Sequence, residues 1–325
     1  MNSDGLNSDG LNSDSGSSGR RSGKRGRHVD GIVVLDKATG LSSNAALQQV
    51  KRLFEARKAG HTGSLDPLAT GVLPLCLGEA TKVSQFLLDS DKAYRTRIRL
   101  GVRTSSGDSE GEVIAERDSI GISREQIEEA LDSFRGDIEQ LPPMYSALKK
   151  DGVPLYKLAR QGKTVEREPR PVTIYSIELC AYIDNELELA IDCSKGTYIR
   201  TIADDLGEML GCGAHVVALH RTRAGAFTEQ DSVKIDALEK VKEEQGLEGI
   251  DAYLLPMDKA VAELPEVRLP EVTAGYVLNG QAVMVQHLPS DGLVRLYQDE
   301  QFIGIGCIDD DGKVAPKRLV VSQRD

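Results

Sequence analysis

The period of the apolar positions changes several times along the chain, and each change marks an element. Ile32, Val33, Val34 and Leu35 form a short continuous apolar run just after Gly31, which predicts a buried strand. Ser42, Ser43 and Asn44 then offer caps to a helix that runs to about Phe54. An apolar run at 72–77 leads into a predicted helix over about 79–88 and a strand over 93–100, in which Tyr94, Thr96, Ile98 and Leu100 share one face. Ser123-Arg124-Glu125-Gln126 has the form of a capping box, and Ile127, Ala130, Leu131 and Phe134 follow at helical spacing, so this helix is expected to run to Gly136. Strands are expected at about 172–181 and 186–192. The next helix has Ile199, Ile202, Ala203, Leu206 and Leu210 on its buried side and Gly211 as its stop.

Three regions have a different texture. Residues 1–27 repeat Asn-Ser-Asp-Gly-Leu and then turn to Ser, Gly, Arg and Lys, with almost nothing to bury, which predicts a disordered basic tail. Residues 142–171 are basic and irregular apart from a short helical candidate at 154–161 with Gly162 as its stop, the pattern of a surface insertion. From about 256 the chain changes to short β runs at 282–285, 292–297, 302–308 and 314–321, with a hairpin signal at Asp311-Gly312. That spacing predicts a small separate β domain over 256–325, behind a main domain over 28–255.

Composition narrows the classes. A chain of 325 residues with 40% hydrophobic content can bury a large core and a small one. No stretch approaches a membrane span and no apolar signal core opens the sequence, so a cytoplasmic location is expected. Cys76, Cys180, Cys193, Cys212 and Cys307 are scattered and odd in number, which implies neither a disulfide framework nor a zinc site. A formal charge of −11 taken alone argues against nucleic acid. Steering depends on local patches, however, and the basic residues cluster in two of them. One is Arg20 to Arg27; the other spans Lys149, Lys150, Lys157, Arg160, Lys163, Arg167 and Arg170.

The strongest chemical candidate is a carboxylate in the stretch Gly60-His61-Thr62-Gly63-Ser64-Leu65-Asp66-Pro67-Leu68-Ala69-Thr70-Gly71. Glycines permit unusual backbone there, and Pro67 fixes its own φ and pushes Asp66 out of the helical region. Leu65 and Leu68 place the carboxylate against packed side chains, where an ionised group needs a cationic partner. Read in isolation, Leu-Asp-Pro is an ordinary turn.

The loop and its continuation Val72-Leu73-Pro74 resemble the catalytic loop of the TruB family of tRNA pseudouridine synthases. Lys92-Ala93-Tyr94-Arg95, Ser194-Lys195-Gly196-Thr197-Tyr198-Ile199-Arg200 and Gly213-Ala214-His215-Val216 are similar to further motifs of that family in the same order. The resemblance runs from about Gly31 to the C-terminus. It implies an α+β pseudouridine synthase fold, with a mixed, largely antiparallel sheet flanked by helices, a thumb-like insertion and a β-barrel-like PUA domain. It also implies that uridine 55 of the tRNA T loop is detached, rotated and rejoined through carbon on a flipped-out base. Asp66 matches the nucleophile, as an ester former or as a stabiliser of a glycal-like intermediate.

Arg200 matches the arginine that pairs with that carboxylate, and Tyr94 the active-site tyrosine that stacks on the base and moves a proton at carbon 5. His61 matches a residue that fills the space left by the base, and Tyr198 and Leu219 match contacts to the uridine. Residues 142–171, with Lys149, Lys150 and Arg160, match the insertion that grips the T arm. Two positions depart from the family pattern: Ala38 stands for proline in Leu35-Asp36-Lys37-Ala38-Thr39-Gly40, and His220 stands where arginine is common. The resemblance further implies a cytoplasmic monomer that acts on tRNA without cofactor, metal or membrane. The main alternative is a noncatalytic tRNA-binding or folding module on the same scaffold; a second is a guide-RNA-dependent relative, which lacks the insertion.

Overall fold

A computed structural model of the chain describes residues 26–119 and 121–320. The predicted tail lies outside the described residues except for Gly26 and Arg27. Arg27 is already fixed, because its Nε donates to the Phe54 carbonyl at 2.8 Å and its guanidinium pairs with Asp251.

A mixed nine-stranded sheet forms the main body. Its central path runs Gly31–Lys37, Thr70–Leu77, Ala214–Ala224, Lys92–Leu100, Glu186–Cys193, Arg170–Ile183, Gly136–Gln140. All these pairings are antiparallel except that of Thr70–Leu77 with Ala214–Ala224, which sets His220 against Thr70 and Arg221 against Gly71. The helices Ser43–Leu53, Arg124–Asp132 and Ile199–Met209 bury Val50, Leu131 and Leu206 in one cluster with Ile98, Leu189 and Val216 of the sheet. Burial of that apolar face, at roughly 25 cal/mol per Å², is the main term that fixes which way the sheet faces.

Most elements fall where the apolar periods place them, and the exceptions have local causes. The helix expected over 79–88 is split into a 3₁₀ turn, Gly78–Lys82, and a short helix, Ser84–Leu88. Hydroxyls of Thr81 and Ser84 donate to the carbonyls of Gly78 and Thr81 and compete with the helical ladder. The helix expected to reach Gly136 stops at Asp132, and Gly136, at φ 83°, turns the chain into the edge strand instead. The capping box itself forms as expected, between Ser123 and Gln126. The acidic helix Ile235–Asp251 kinks at Gly246, whose φ is 70° and ψ −156°.

The insertion carries a two-strand hairpin, Lys149–Lys150 with Val153–Pro154, and the helix Leu155–Ala159, which is shorter than the candidate at 154–161. Beyond it, a second sheet has the order Glu266–Leu269, Gly292–Gln298, Gln301–Ile308, Val314–Leu319. Its own core contains Val267, Ala274, Val294 and Val314. The run at 282–285 is not a strand there and makes one bridge, Val283 to Val314. The helix Glu271–Leu278 went unforeseen because it is apolar on most sides and carries β-branched Val272, Thr273 and Val277; burial of Ala274 and Val277 outweighs that preference. None of the described helices is long and apolar enough to cross a membrane.

Candidate active site

The Asp66 loop is held from several sides. Ser43, read from sequence as a helix cap, is buried and instead clamps Leu65: its Oγ accepts from the Leu65 N–H at 2.7 Å and donates to the Leu65 carbonyl at 3.0 Å. Ser42 is the cap, and it accepts from the Ala45 N–H. The Pro67 carbonyl accepts from the Gly40 N–H at 2.8 Å and from Lys37 Nζ at 3.4 Å, and Thr39 Oγ1 donates to the Leu68 carbonyl at 3.2 Å. Lys37 is wholly buried and also donates to the carbonyls of Ala38 and Leu41. The turn with Ala38 therefore keeps its shape without proline. Burial lowers the Lys37 pKa to about 8.

At the far end of the loop Gly71 has φ 95°, and a Cβ there would collide with the Arg221 carbonyl and the His220 ring. Only glycine lets the loop rejoin the sheet at that spacing. Gly60, by contrast, lies in the strand Ala59–His61 and uses no special φ.

Asp66 has the expected partner. Arg200 Nε lies 2.9 Å from Asp66 Oδ2, with the arginine side chain 6% exposed and the aspartate 38%. The rest of the guanidinium is engaged as well, since Nη1 donates to the Ser106 carbonyl at 3.0 Å and Nη2 to the Tyr145 carbonyl at 2.8 Å. A second carboxylate, Asp108, sits 3.7 Å from Arg200 Nε and is 5% exposed. Its loop is docked by the bonds from the Val216 N–H to the Gly107 carbonyl and from the Ser109 N–H to the Val216 carbonyl. Gly107 passes so close to Arg200 that a Cβ would lie 3.3 Å from the arginine's own. Sequence reasoning missed Asp108, because Ser105-Ser106-Gly107-Asp108-Ser109-Glu110 reads as a solvated turn.

These charges decide the state of Asp66. Burial pushes its pKa up, Arg200 pulls it down, and Asp108 pushes it up again; the net direction is upward.

Tyr94 is half-buried on the sheet, with its phenol pushed up by burial and drawn down by Arg221. Arg221 is opposite Tyr94 in the strand register and almost wholly buried. Its Nε donates to the Val72 carbonyl at 2.7 Å and its Nη2 to the Gly63 carbonyl at 3.4 Å, so it ties both arms of the Asp66 loop to the strand Ala214–Ala224, which pairs with that of Tyr94. This arginine was also missed, since Arg221 and Arg223 in alternation read as the solvent-facing side of a strand.

Tyr198 is half-buried, its phenol pushed up by burial and drawn down by Ser146 and Arg200. Leu219 is buried and faces Thr96 in the register; with Leu68, Thr70, Arg95, Arg97 and His220 it lines a cleft of about 390 Å³. His61 has a buried Nδ1 without a partner, and burial lowers its pKa. Both ring nitrogens of His220 are engaged, by Thr70 at 2.7 Å and Glu229 at 2.8 Å. Lys149, Lys150 and Arg160 are exposed on the insertion. Lys150 Nζ donates to the Glu166 carbonyl, and the Arg160 guanidinium lies 5.6 Å from the Tyr156 ring centroid. Among the described residues no group of His, Cys, Asp and Glu is arranged to hold a metal ion.

Comparison with known proteins identifies the relatives of the whole chain. Residues 51–199 match the TruB family pseudouridylate synthase N-terminal domain, 200–262 the tRNA pseudouridylate synthase B C-terminal domain, and 265–320 the pseudouridine synthase II TruB C-terminal region. A tRNA pseudouridine synthase B of Tolumonas auensis is 56% identical over 309 residues, 93% of this chain and 95% of its own. One of Pseudomonas aeruginosa is 55% identical, over 91% of this chain and 97% of its own. Among solved structures, a Cbf5-Nop10-Gar1 complex aligns with a TM-score of 0.70 at 26% identity, over 90% of this chain and 85% of that one. An H/ACA RNP bound to a substrate RNA containing 2′-deoxyuridine has the same fold, at TM-score 0.69 and 24% identity over 90% of this chain and 86% of that one. With relatives this similar over nearly its whole length, the chain belongs to the TruB family of pseudouridylate synthases.

Proposed function

We propose that this chain isomerises uridine 55 in the T loop of tRNA to pseudouridine, with Asp66 as the catalytic carboxylate. The observation that carries the reading is the Asp66–Arg200 pair at 2.9 Å, at the tip of a loop whose backbone is fixed on both sides. The bond from ribose carbon 1′ to N1 breaks, a bond from carbon 1′ to carbon 5 forms, a proton leaves carbon 5, and N1 ends protonated. Atoms and electrons balance without a redox partner. Both roles open to Asp66, ester formation at the nucleoside and stabilisation of a glycal-like intermediate, need it ionised, and Arg200 favours that form. Tyr94 supplies a ring to stack on the flipped base and a hydroxyl for the proton at carbon 5. Tyr198 and Leu219 contact the uridine, and His61 fills the vacated stack.

The partner is the T arm, and the chain acts alone, as a cytoplasmic monomer. Residues 142–171 are its grip, and 256–325 form a PUA domain that extends the RNA surface. A grip of its own favours this reading over guide-RNA dependence. Incubation with unmodified tRNA tritiated at carbon 5 of uridine tests it: stoichiometric release of label is expected, and binding without release would establish the noncatalytic alternative.

Two expectations concern the electrostatics. Neutralising Lys149, Lys150 and Arg160 together weakens tRNA binding and flattens its dependence on salt, by roughly 0.7–0.9 in log–log slope for each phosphate that is no longer neutralised. An unchanged slope in filter binding over a salt series would remove the insertion from the interface. In Asp108→Asn the amide oxygen can still accept from Ser106 and the Glu110 N–H, so chiefly the charge is removed. That charge raises the Asp66 pKa. The acid limb of the activity profile should therefore move to lower pH, and a move to higher pH would contradict the assignment.

A further inference from the structure

Tyr198 stands at the N-cap of the helix Ile199–Met209, and its own side chain makes no cap bond. Its backbone is held from elsewhere. The Tyr198 N–H donates to Gln140 Oε1 at 2.7 Å, and Gln140 Nε2 donates to the Tyr198 carbonyl at 3.0 Å. One side-chain amide thus satisfies both main-chain groups of a residue 58 positions away. Gln140 is 2% exposed. An amide buried that deeply is costly unless paired, and here the carbonyl meets a donor while the NH₂ meets an acceptor.

The position of this clamp matters more than its strength. Arg200 lies two residues beyond Tyr198, and the carbonyls of Ser106 and Tyr145 hold its guanidinium. Those bonds fix the head of the side chain; they do not fix the backbone from which it projects. Gln140 does, because the same Tyr198 carbonyl also receives the first helical bonds, from Thr201 at 3.1 Å and Ile202 at 3.2 Å. Gln140 also ends the edge strand Gly136–Gln140, immediately before Leu141-Pro142-Pro143 and the insertion. It sits where the basic insertion is joined to the sheet.

We propose that Gln140 is a positioning residue for the reaction, whose buried amide pins Tyr198 and the first turn of its helix so that Arg200 meets Asp66 and the Tyr198 ring faces the uridine. This rests on the reading of Asp66 and Arg200 as the catalytic pair. Gln140→Glu preserves shape and acceptor but, ionised, opposes a carboxylate to the Tyr198 carbonyl; Gln140→Leu removes both bonds.

In either variant, kcat for label release should fall about 10- to 100-fold, the loss typical of a small misplacement of a catalytic group. The Kd for tRNA should change less than about threefold, since the phosphate contacts that dominate affinity lie elsewhere. The acid limb of the kcat profile should move to higher pH, because a looser Arg200 opposes the burial of Asp66 less. Amide exchange at Tyr198 and Ile202 should quicken, a readout that needs no catalysis. In an Arg200→Lys background, Gln140→Glu should cost little more, as the geometry it protects is already lost.

Unchanged exchange overturns the clamp. Faster exchange with kcat and acid limb unmoved overturns the positioning role, as does a full multiplicative loss in the Arg200→Lys background. Where Gln140→Leu unfolds, Gln140→Glu decides. Failure of the unmodified enzyme to release label is seen before any variant is made, and it strikes the functional reading instead.

Discussion

Asp66→Asn should abolish label release, with a fall of at least about 10³-fold, while tRNA binding stays within a few-fold of the parent. Removal of a nucleophile or its activator typically costs about 10⁴–10⁶ in kcat, and an amide of the same shape can neither form the ester nor stabilise positive character on the ribose. The side chain is 38% exposed, so the fold should survive the exchange. Asparagine also leaves Arg200 with Asp108, 3.7 Å away, so no buried cation is orphaned. Single-turnover release measured beside filter binding separates the two quantities. Release at the parental rate would show that another group does the chemistry, and loss of both would show that Asp66 organises the site rather than reacting in it.

Arg200→Met should be the more damaging change to the molecule as a whole. It takes the cation from between two carboxylates and leaves Asp108, 5% exposed, without a counter-charge. Breaking a buried pair in this way costs about 3 kcal/mol or more. Asp66 can turn to solvent and contributes little of that. Activity should fall about 10²- to 10³-fold, as for loss of a preorganised electrostatic partner. What remains should have its acid limb at higher pH, since Arg200 is the main group that lowers the Asp66 pKa. Arg200→Lys should recover part of the stability but little of the activity. A lysine carries the charge without the fork that reaches Asp66, Ser106 and Tyr145 at once. Urea midpoints with pH profiles test both claims, and a stable, fully active Arg200→Met would refute them.

How far the sequence could be read depends on whether a residue's role is local. Asp66 was legible because its neighbours are odd: glycine, proline and leucine around one carboxylate announce a built loop. The capping box at Ser123 and the apolar faces of the strands were legible for the same reason, each being a pattern within a few residues. Arg200 could be paired with Asp66 only through the family motif, since nothing in a helix start distinguishes a buried arginine from a solvated one. Asp108, Arg221 and Gln140 were invisible. Their roles exist only once distant segments meet, as when Gln140 closes on a backbone 58 residues away. The split at Thr81 and Ser84 failed for a different reason. Side-chain hydroxyls there outcompete a helical period that the apolar spacing alone supports.

The bonds from Arg221 to Val72 and Gly63 span 149 and 158 positions, so the two arms of the Asp66 loop are bound by a residue made long after them. Contacts of such sequence separation form late, after the loop-closure cost of bringing the segments together has been met. A chain emerging N-terminal first carries Asp66 long before it carries Arg200 or Arg221. Until then the carboxylate has neither the cation that would keep it ionised in a closed site nor the strap that would aim it. On the proposed reading of Asp66, a nascent chain that ends before Arg200 and Arg221 should therefore release no label.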